Sequence, residues 1–157
     1  MAERRYALIG HREPYGEIYV RDNTTNTTLN SAAEVQVVNF TTNGQSFRTT
    51  PDYTNSHITI IEGGTYLVLA AIAVVNVAAQ AQKIHVGLSK NNNAATFNNI
   101  HADRGLAAGG GDTGSMSLMG LVSVSAGDTI ELWAHNDTAA DRAVLFSDVT
   151  LTLIKVG

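Results

Sequence analysis

The residues with the widest chemical scope are five histidines, His11, His57, His85, His101 and His135. A metal site legible in sequence would show His-x-His, which puts two imidazoles on one strand face, with a carboxylate a few residues on. No pair here has that spacing. The histidines can meet only in three dimensions or across copies on a symmetry axis; otherwise they are surface or strand-end imidazoles. Asp103 with Asp112, and Asp137 with Asp141, stand in Asn-, Gly- and Ala-rich stretches where a hydrolytic pair or a calcium loop could form. Asp in such stretches ordinarily caps turns. The run Ala107-Ala108-Gly109-Gly110-Gly111-Asp112-Thr113-Gly114 offers backbone amides to a phosphate but has no Lys-Ser/Thr pair and no helix after it, so it reads as loop. Trp133, the single tryptophan, suits an exposed binding aromatic or packing against a neighbouring loop or subunit. With no cysteine there is no thiolate ligand, disulfide or cysteine nucleophile. The expectation is a non-enzymatic protein with no catalytic residue, no metal and no cofactor.

The elements that would position these residues belong to one domain, since 157 residues with 44% hydrophobic content supply one core and not two. A net charge of -4, with only 15% of residues charged, gives no basic field for a nucleic-acid backbone. Seventeen Thr and thirteen Asn together outnumber the charged residues, which makes a neutral, turn-rich surface better suited to strands than to exposed helix. The first thirty residues hold no apolar run of the ~7–15 residues a secretory signal needs. The longest greasy stretch, 66–75, falls short of the ~20 residues that cross a bilayer. Neither secretion nor a membrane partner is expected, and the Asn-x-Thr triplets at Asn23, Asn26, Asn39 and Asn136 read as polar turns.

Residues 1–16 lack periodicity and cluster Arg4, Arg5 and Arg12 with Glu3 and Glu13, before Pro14 and Gly16. They read as a non-globular arm, leaving 17–157 as the domain. Period-2 or apolar runs then recur at 17–20, 33–40, 57–61, 65–77, 83–88, 115–125, 129–135 and 144–156, eight strands for an all-β, two-sheet antiparallel sandwich. The segment 91–114 reads mostly as loop, with an edge strand near 99–103. Met116, Leu118, Gly120, Val122 and Val124 share one face, and beyond Ser125-Ala126-Gly127-Asp128 the set Ile130, Leu132 and Ala134 resumes it. Gly127 and Asp128 are therefore expected to form the structural turn of a hairpin. In the last strand Ser147, Val149, Leu151 and Leu153 alternate against Phe146, Asp148, Thr150, Thr152 and Ile154. The run 65–77 has no polar face: Tyr66, Val68 and Ala70 can fill the sandwich, which leaves Leu67, Leu69, Ala71 and Ala73 in need of a second cover from a partner subunit.

Four stretches resemble the trimeric jelly roll of the tumour necrosis factor superfamily and the globular head of complement-type collagenous proteins. His57-Ile58-Thr59-Ile60 runs through Glu62-Gly63-Gly64 into Thr65-Tyr66-Leu67-Val68, like that family's strand, glycine turn and G-x-Y-x-aliphatic strand. Ile84-His85-Val86-Gly87-Leu88-Ser89-Lys90-Asn91 is similar to its next strand, which ends in a lysine-asparagine turn. Val122 to Leu132 is similar to its L-x-L-x-x-G-D-x-V-x-L segment, and Phe146-Ser147-Asp148-Val149 stands at its aromatic-x-Gly-aliphatic strand, with Asp148 replacing the glycine. The resemblance implies a homotrimer whose inner sheet faces a threefold axis, where Met119, Leu121 and Phe146 would join Leu67, Leu69, Ala71 and Ala73.

A cysteine-free, non-catalytic trimer of this kind with an arm looks like a tailed-phage capsid decoration, or cement, protein. It would be made in the host cytoplasm and sit on the virion surface. The arm residues Arg4, Arg5, Tyr6, Leu8, Ile9 and Arg12 would then dock on the major capsid protein. The same reading leaves open a tail-fibre or receptor-binding tip that takes a host glycan, or a bacterial ligand-binding module.

Overall fold

The computed structural model describes residues 12–138 and 140–157, the side chains of 94–98 excepted. Twelve strands form and, among the described residues, no helix. They are β1 (Tyr15–Val20), β2 (Thr27–Leu29), β3 (Val35–Gln36), β4 (Thr42–Phe47), β5 (Thr49–Asp52), β6 (His57–Ile60), β7 (Gly64–Asn76), β8 (Gln82–Lys90), β9 (Asn93–Leu106), β10 (Thr113–Val124), β11 (Thr129–Asn136) and β12 (Arg142–Lys155). The first sheet has the order β10-β7-β12-β1-β4, with β2 also on β12; the second has β5-β6-β11-β8-β9, with β3 also on β11. All pairings are antiparallel, so the expected two-sheet β sandwich is the fold.

Period-2 alternation builds the core between the sheets. Tyr66, Val68, Ile72 and Val74 of β7 point inward with Leu151 and Leu153 of β12, against Ile84 and Val86 of β8 and Ile130 and Leu132 of β11. Each such buried aliphatic stabilises the fold by roughly 1.5–3 kcal/mol. Tyr66 is admitted because its hydroxyl donates to the Glu62 carbonyl at 2.7 Å. On β10 the inward row includes Gly120, where a Cβ would lie 2.4 Å from Ile100 Cδ1. The gap lets Ile100, buried on β9, reach across the sandwich and close its side.

Three expectations are corrected. The arm ends sooner than residue 16, because Tyr15 and Gly16 already pair with Ile154 and Leu153 of β12. Arg4, Arg5, Tyr6, Leu8 and Ile9 lie outside the described residues, while Arg12 sits 6.0 Å over the ring of Phe47 in its own chain. The segment 91–114 is mainly strand, since β9 hydrogen-bonds along β8 and buries Ile100 and Leu106. Backbone pairing on one side carries this polar strand, with register shifts beside Leu88. Finally, β10 and β11 lie in different sheets, so the link between them is an arch from one sheet to the other and not a hairpin.

The loops are held by polar groups of their own. Buried Asn76 donates to the carbonyls of Gln80 and Ala107 at 3.0 and 2.6 Å, and its Oδ1 accepts from Ala78 N and Gln82 Nε2 at 2.9 and 2.6 Å. In the glycine run the amides of Ala107, Gly109 and Gly111 are spent on Asp112 Oδ2, Ala79 O and Asn76 O. They are not a phosphate cradle. Asp137 pairs with Lys83 at 2.7 Å and Asp141 takes the Ser31 amide at 2.8 Å, so this pair acts as tethers and turn caps.

The arch is a cross-link between the sheets. Gly127 has φ 92°, and a Cβ there would meet no heavy atom within 4 Å, so its backbone conformation alone demands glycine. Its amide donates to Ile60 O at 2.7 Å, and Ile60 N returns a bond to Asp128 O at 2.8 Å. Asp128 accepts from Asn91 Nδ2 and Ser125 N at 2.8 and 2.9 Å, with Lys90 3.4 Å away. Those partners, Asn91 first, hold its carboxyl below the usual carboxylate range.

Gly127→Val should lower stability by about 1–3 kcal/mol, read as a shift of the denaturant midpoint. For Asp128 the folded value lies below the unfolded one, so its contribution is complete above about pH 4 and is lost as pH falls through the depressed value. Asp128→Asn should lower the melting midpoint at pH 7 and narrow its difference from wild type on acidification below pH 4.

Candidate functional site

The outward face of the first sheet carries Met119 and Leu121, the two most exposed large apolar side chains among the described residues. Strand register arranges it in rows. Leu121 stands opposite Leu67, Leu67 opposite Ile154, Ile154 opposite Tyr15, and Tyr15 opposite Phe47. The next row runs Met119, Leu69, Thr152 and Glu17. A third has Ser117, Ala71, Thr150 and Tyr19, and a fourth Ser115, Ala73 and Asp148. The face thus grades from aliphatic and aromatic at one end, through alanine, to Ser and Asp at the other. Met119 is 72% exposed and Leu121 60%, while Leu67, Leu69 and Ala73 are half-buried and Ala71 exposed.

Two concavities continue one another along this face. One of about 360 Å³ is lined by Leu69, Met119 and Thr152 and one of about 500 Å³ by Arg21, Ala73 and Asp148; both include Ala71, Ser117 and Thr150. At the apolar end the Tyr15 and Phe47 rings lie 6.4 Å apart, with the Arg48 guanidinium 5.3 Å over Phe47. Arg48 and Lys155 converge on Glu62 at 2.7 and 2.6 Å, and these bonds, Lys155 first, hold the Glu62 carboxyl below its usual range. A surface of this composition offers apolar area for burial against a partner, with charges at its rim.

Six of the seven residues expected on this face are there. Phe146 is not: it is 1% exposed and belongs to the core. Phe146 faces Val74 and Asp148 faces Ala73, so Ser147 is an extra residue that flips the alternation. The bulge is held by Asn23, whose amide donates to Ser147 O at 2.9 Å and whose Nδ2 donates to Phe146 O at 3.0 Å. Asp148 sits at the polar end, 3.4 Å from the Asp22 amide, away from the aliphatic rows. Ile154, Tyr15 and Phe47 complete the face beyond the residues expected on it. Ile154 stands on the outward parity of β12, whereas Tyr15 and Phe47 lie in segments with too little periodicity to read.

No family model matches the chain, and no curated protein is similar to it in sequence. Among solved structures it is similar to the Eiger tumour necrosis factor of S. frugiperda, with a TM-score of 0.59 and 16% identity over 92% of this chain and 94% of that one. It is also similar to the globular domain of zebrafish complement 1qA, with a TM-score of 0.60 and 9% identity over 93% and 98%. The fold is the tumour necrosis factor-like jelly roll. In this jelly roll the graded face lies on β10, β7, β12, β1 and β4, and the sheet holding His57, His85, His101 and His135 lies behind it.

Phe146→Ala should cost about 3–5 kcal/mol, as a large core deletion does. Met119→Ala should change the stability of the isolated subunit by less than about 0.5 kcal/mol, as an exposed position does. Urea unfolding at concentrations where subunits do not associate checks both.

Proposed function

We propose that the chain is a non-enzymatic structural subunit that forms a homotrimer through the graded face of its first sheet, and that the trimer is a decoration protein on a tailed-phage head. The observation that carries the assembly is the pair of adjoining aliphatic rows, Leu121–Leu67–Ile154 and Met119–Leu69, which face outward from a sheet whose other side already fills the core. A soluble chain gains by covering such a patch, and a second and third copy supply a matching one. The trimer is also what resemblance to the tumour necrosis factor superfamily implies.

The capsid role rests on the sequence more than on the fold. It is favoured by a cysteine-free, weakly charged surface and by the Arg4, Arg5, Tyr6, Leu8 and Ile9 segment ahead of β1. Three such segments on one trimer would add weak contacts to the major capsid protein by avidity. A second reading, a tail tip that takes a host glycan, is favoured by a cavity of about 520 Å³ lined by Gln36, Asn55, His57, Asn91, Asn92, Thr129 and Glu131. Its lining is polar, as a polyhydroxylated ligand requires, with both Glu131 oxygens already taken by Thr129 Oγ1 and the Asn92 amide.

Light scattering should give about 50 kDa, three times the chain mass of 16.7 kDa. Leu121→Asp should return the mass to that of one chain with its β-sheet circular dichroism intact. A wild-type monomer at micromolar concentration refutes the trimer. The wild-type trimer should co-sediment with undecorated heads, and a chain lacking residues 2–11 should not. Recovery on tails and absence from heads would favour the tip.

A further inference from the structure

Three histidines that are far apart in sequence stand in a row on the outer face of the second sheet. His135 and His85 are direct cross-strand partners on β11 and β8, and His101 is opposite Gly87 on β9. The His135 and His85 rings are 4.7 Å apart and the His85 and His101 rings 4.8 Å, tilted by about 30°. Glu34 joins them because Val35 of β3 pairs with Ala134, which brings the residue before it level with His135.

We propose that Glu34, His85 and His135 form a binding site for a divalent transition metal ion. One potential ligand atom from each lies within 4.8 Å of the others. The Nδ1 of His135 is buried and has no hydrogen-bond partner among the described residues, and Glu34 Oε1 faces it at 3.9 Å. That gap is too long for a hydrogen bond and is spanned by two metal bonds of about 2.1 Å. The His135 and His85 rings, tilted by 31°, must turn so that their in-plane nitrogens converge on the ion, and that rotation with an inward shift of Glu34 completes the coordination.

His85 shows the support that a ligating imidazole normally has. Its Nδ1 is 2.7 Å from Asp103 Oδ1, which fixes the ring and leaves Nε2 for the ion. Asp103 is in turn 3.2 Å from Lys83, and Lys83 is 2.7 Å from Asp137, so the carboxylate behind the ligand is itself tethered. Two imidazoles and one carboxylate suit Zn²⁺, Cu²⁺ or Ni²⁺ far better than Ca²⁺ or Mg²⁺. A shallow cavity of about 210 Å³, lined by Ser31, Ala32, Ala33, Glu34 and His135, leaves room for water as the fourth ligand.

The test is titration of the metal-free full chain with Zn²⁺ by calorimetry at pH 7.5, alongside Co²⁺, whose visible absorption reports a low-coordinate site. One ion per chain should bind, with the intense band of tetrahedral Co²⁺. His85→Ala and His135→Ala should each weaken binding at least tenfold, and Asp103→Asn by about 10-fold or more. His57→Gln, on the other flank of the second sheet, should bind as wild type does. In wild type Zn²⁺ should raise the melting midpoint, and in His135→Gln, which keeps the size of the side chain, it should not. Failure to bind at 100 µM free Zn²⁺ would overturn the site, as would equal affinity in the wild type and both alanine variants. Because the subunit supplies all three ligands, loss of the trimer leaves this result unchanged.

Discussion

A strand that is apolar on both faces governs this molecule. β7 has thirteen residues and sits inside the first sheet, paired along its length with β10 and over most of it with β12. Tyr66, Val68, Ile72 and Val74 close the core from one side, while Leu67 and Leu69 face out from the other. Ordinarily a polar face guards strand register, because a slip by one residue would bury it. β7 lacks that guard. Its placement depends on polar pins at the ends: the Asn76 side chain makes four hydrogen bonds where the strand stops, and Tyr66 donates to the Glu62 carbonyl where it begins. Gly120 adds a steric pin on the neighbouring strand, since only a position without a side chain accepts Ile100.

The fold is legible in the sequence where period 2 runs unbroken. The inward rows of β10 and β11, and the two-sided apolarity of β7, follow from alternation alone and are found in the structure. Alternation fails at a bulge, which is why parity puts Phe146 on the wrong side: nothing in Phe146-Ser147-Asp148 marks the extra residue, and the Asn23 that holds it lies more than 120 positions away. It also fails for strands that exist mainly through backbone pairing. β4 is rich in Asn, Gly, Ser and Thr, and β9 carries Asn, His, Asp and Arg, so neither announces itself by composition.

The histidine cluster is illegible for a different reason. Sequence spacing reports neighbours on one strand, whereas His135 and His85 are neighbours across two, and Glu34 comes from a third segment. Their convergence depends on the β8–β11 register, which is fixed by inward residues such as Leu132 opposite Leu88 and not by the histidines themselves. A chemical group on the outer face is thereby positioned by packing on the inner one.

The lengthwise grading of the first sheet carries a thermal consequence. At the Leu121 end association would release water from aliphatic surface, an entropic gain near room temperature that weakens on cooling. At the other end Asp148, Arg21 and Ser115 keep hydration and contribute little of that gain. An oligomer joined along this face would therefore weaken on cooling, and it would weaken most at the Leu121 end, where the aliphatic rows lie.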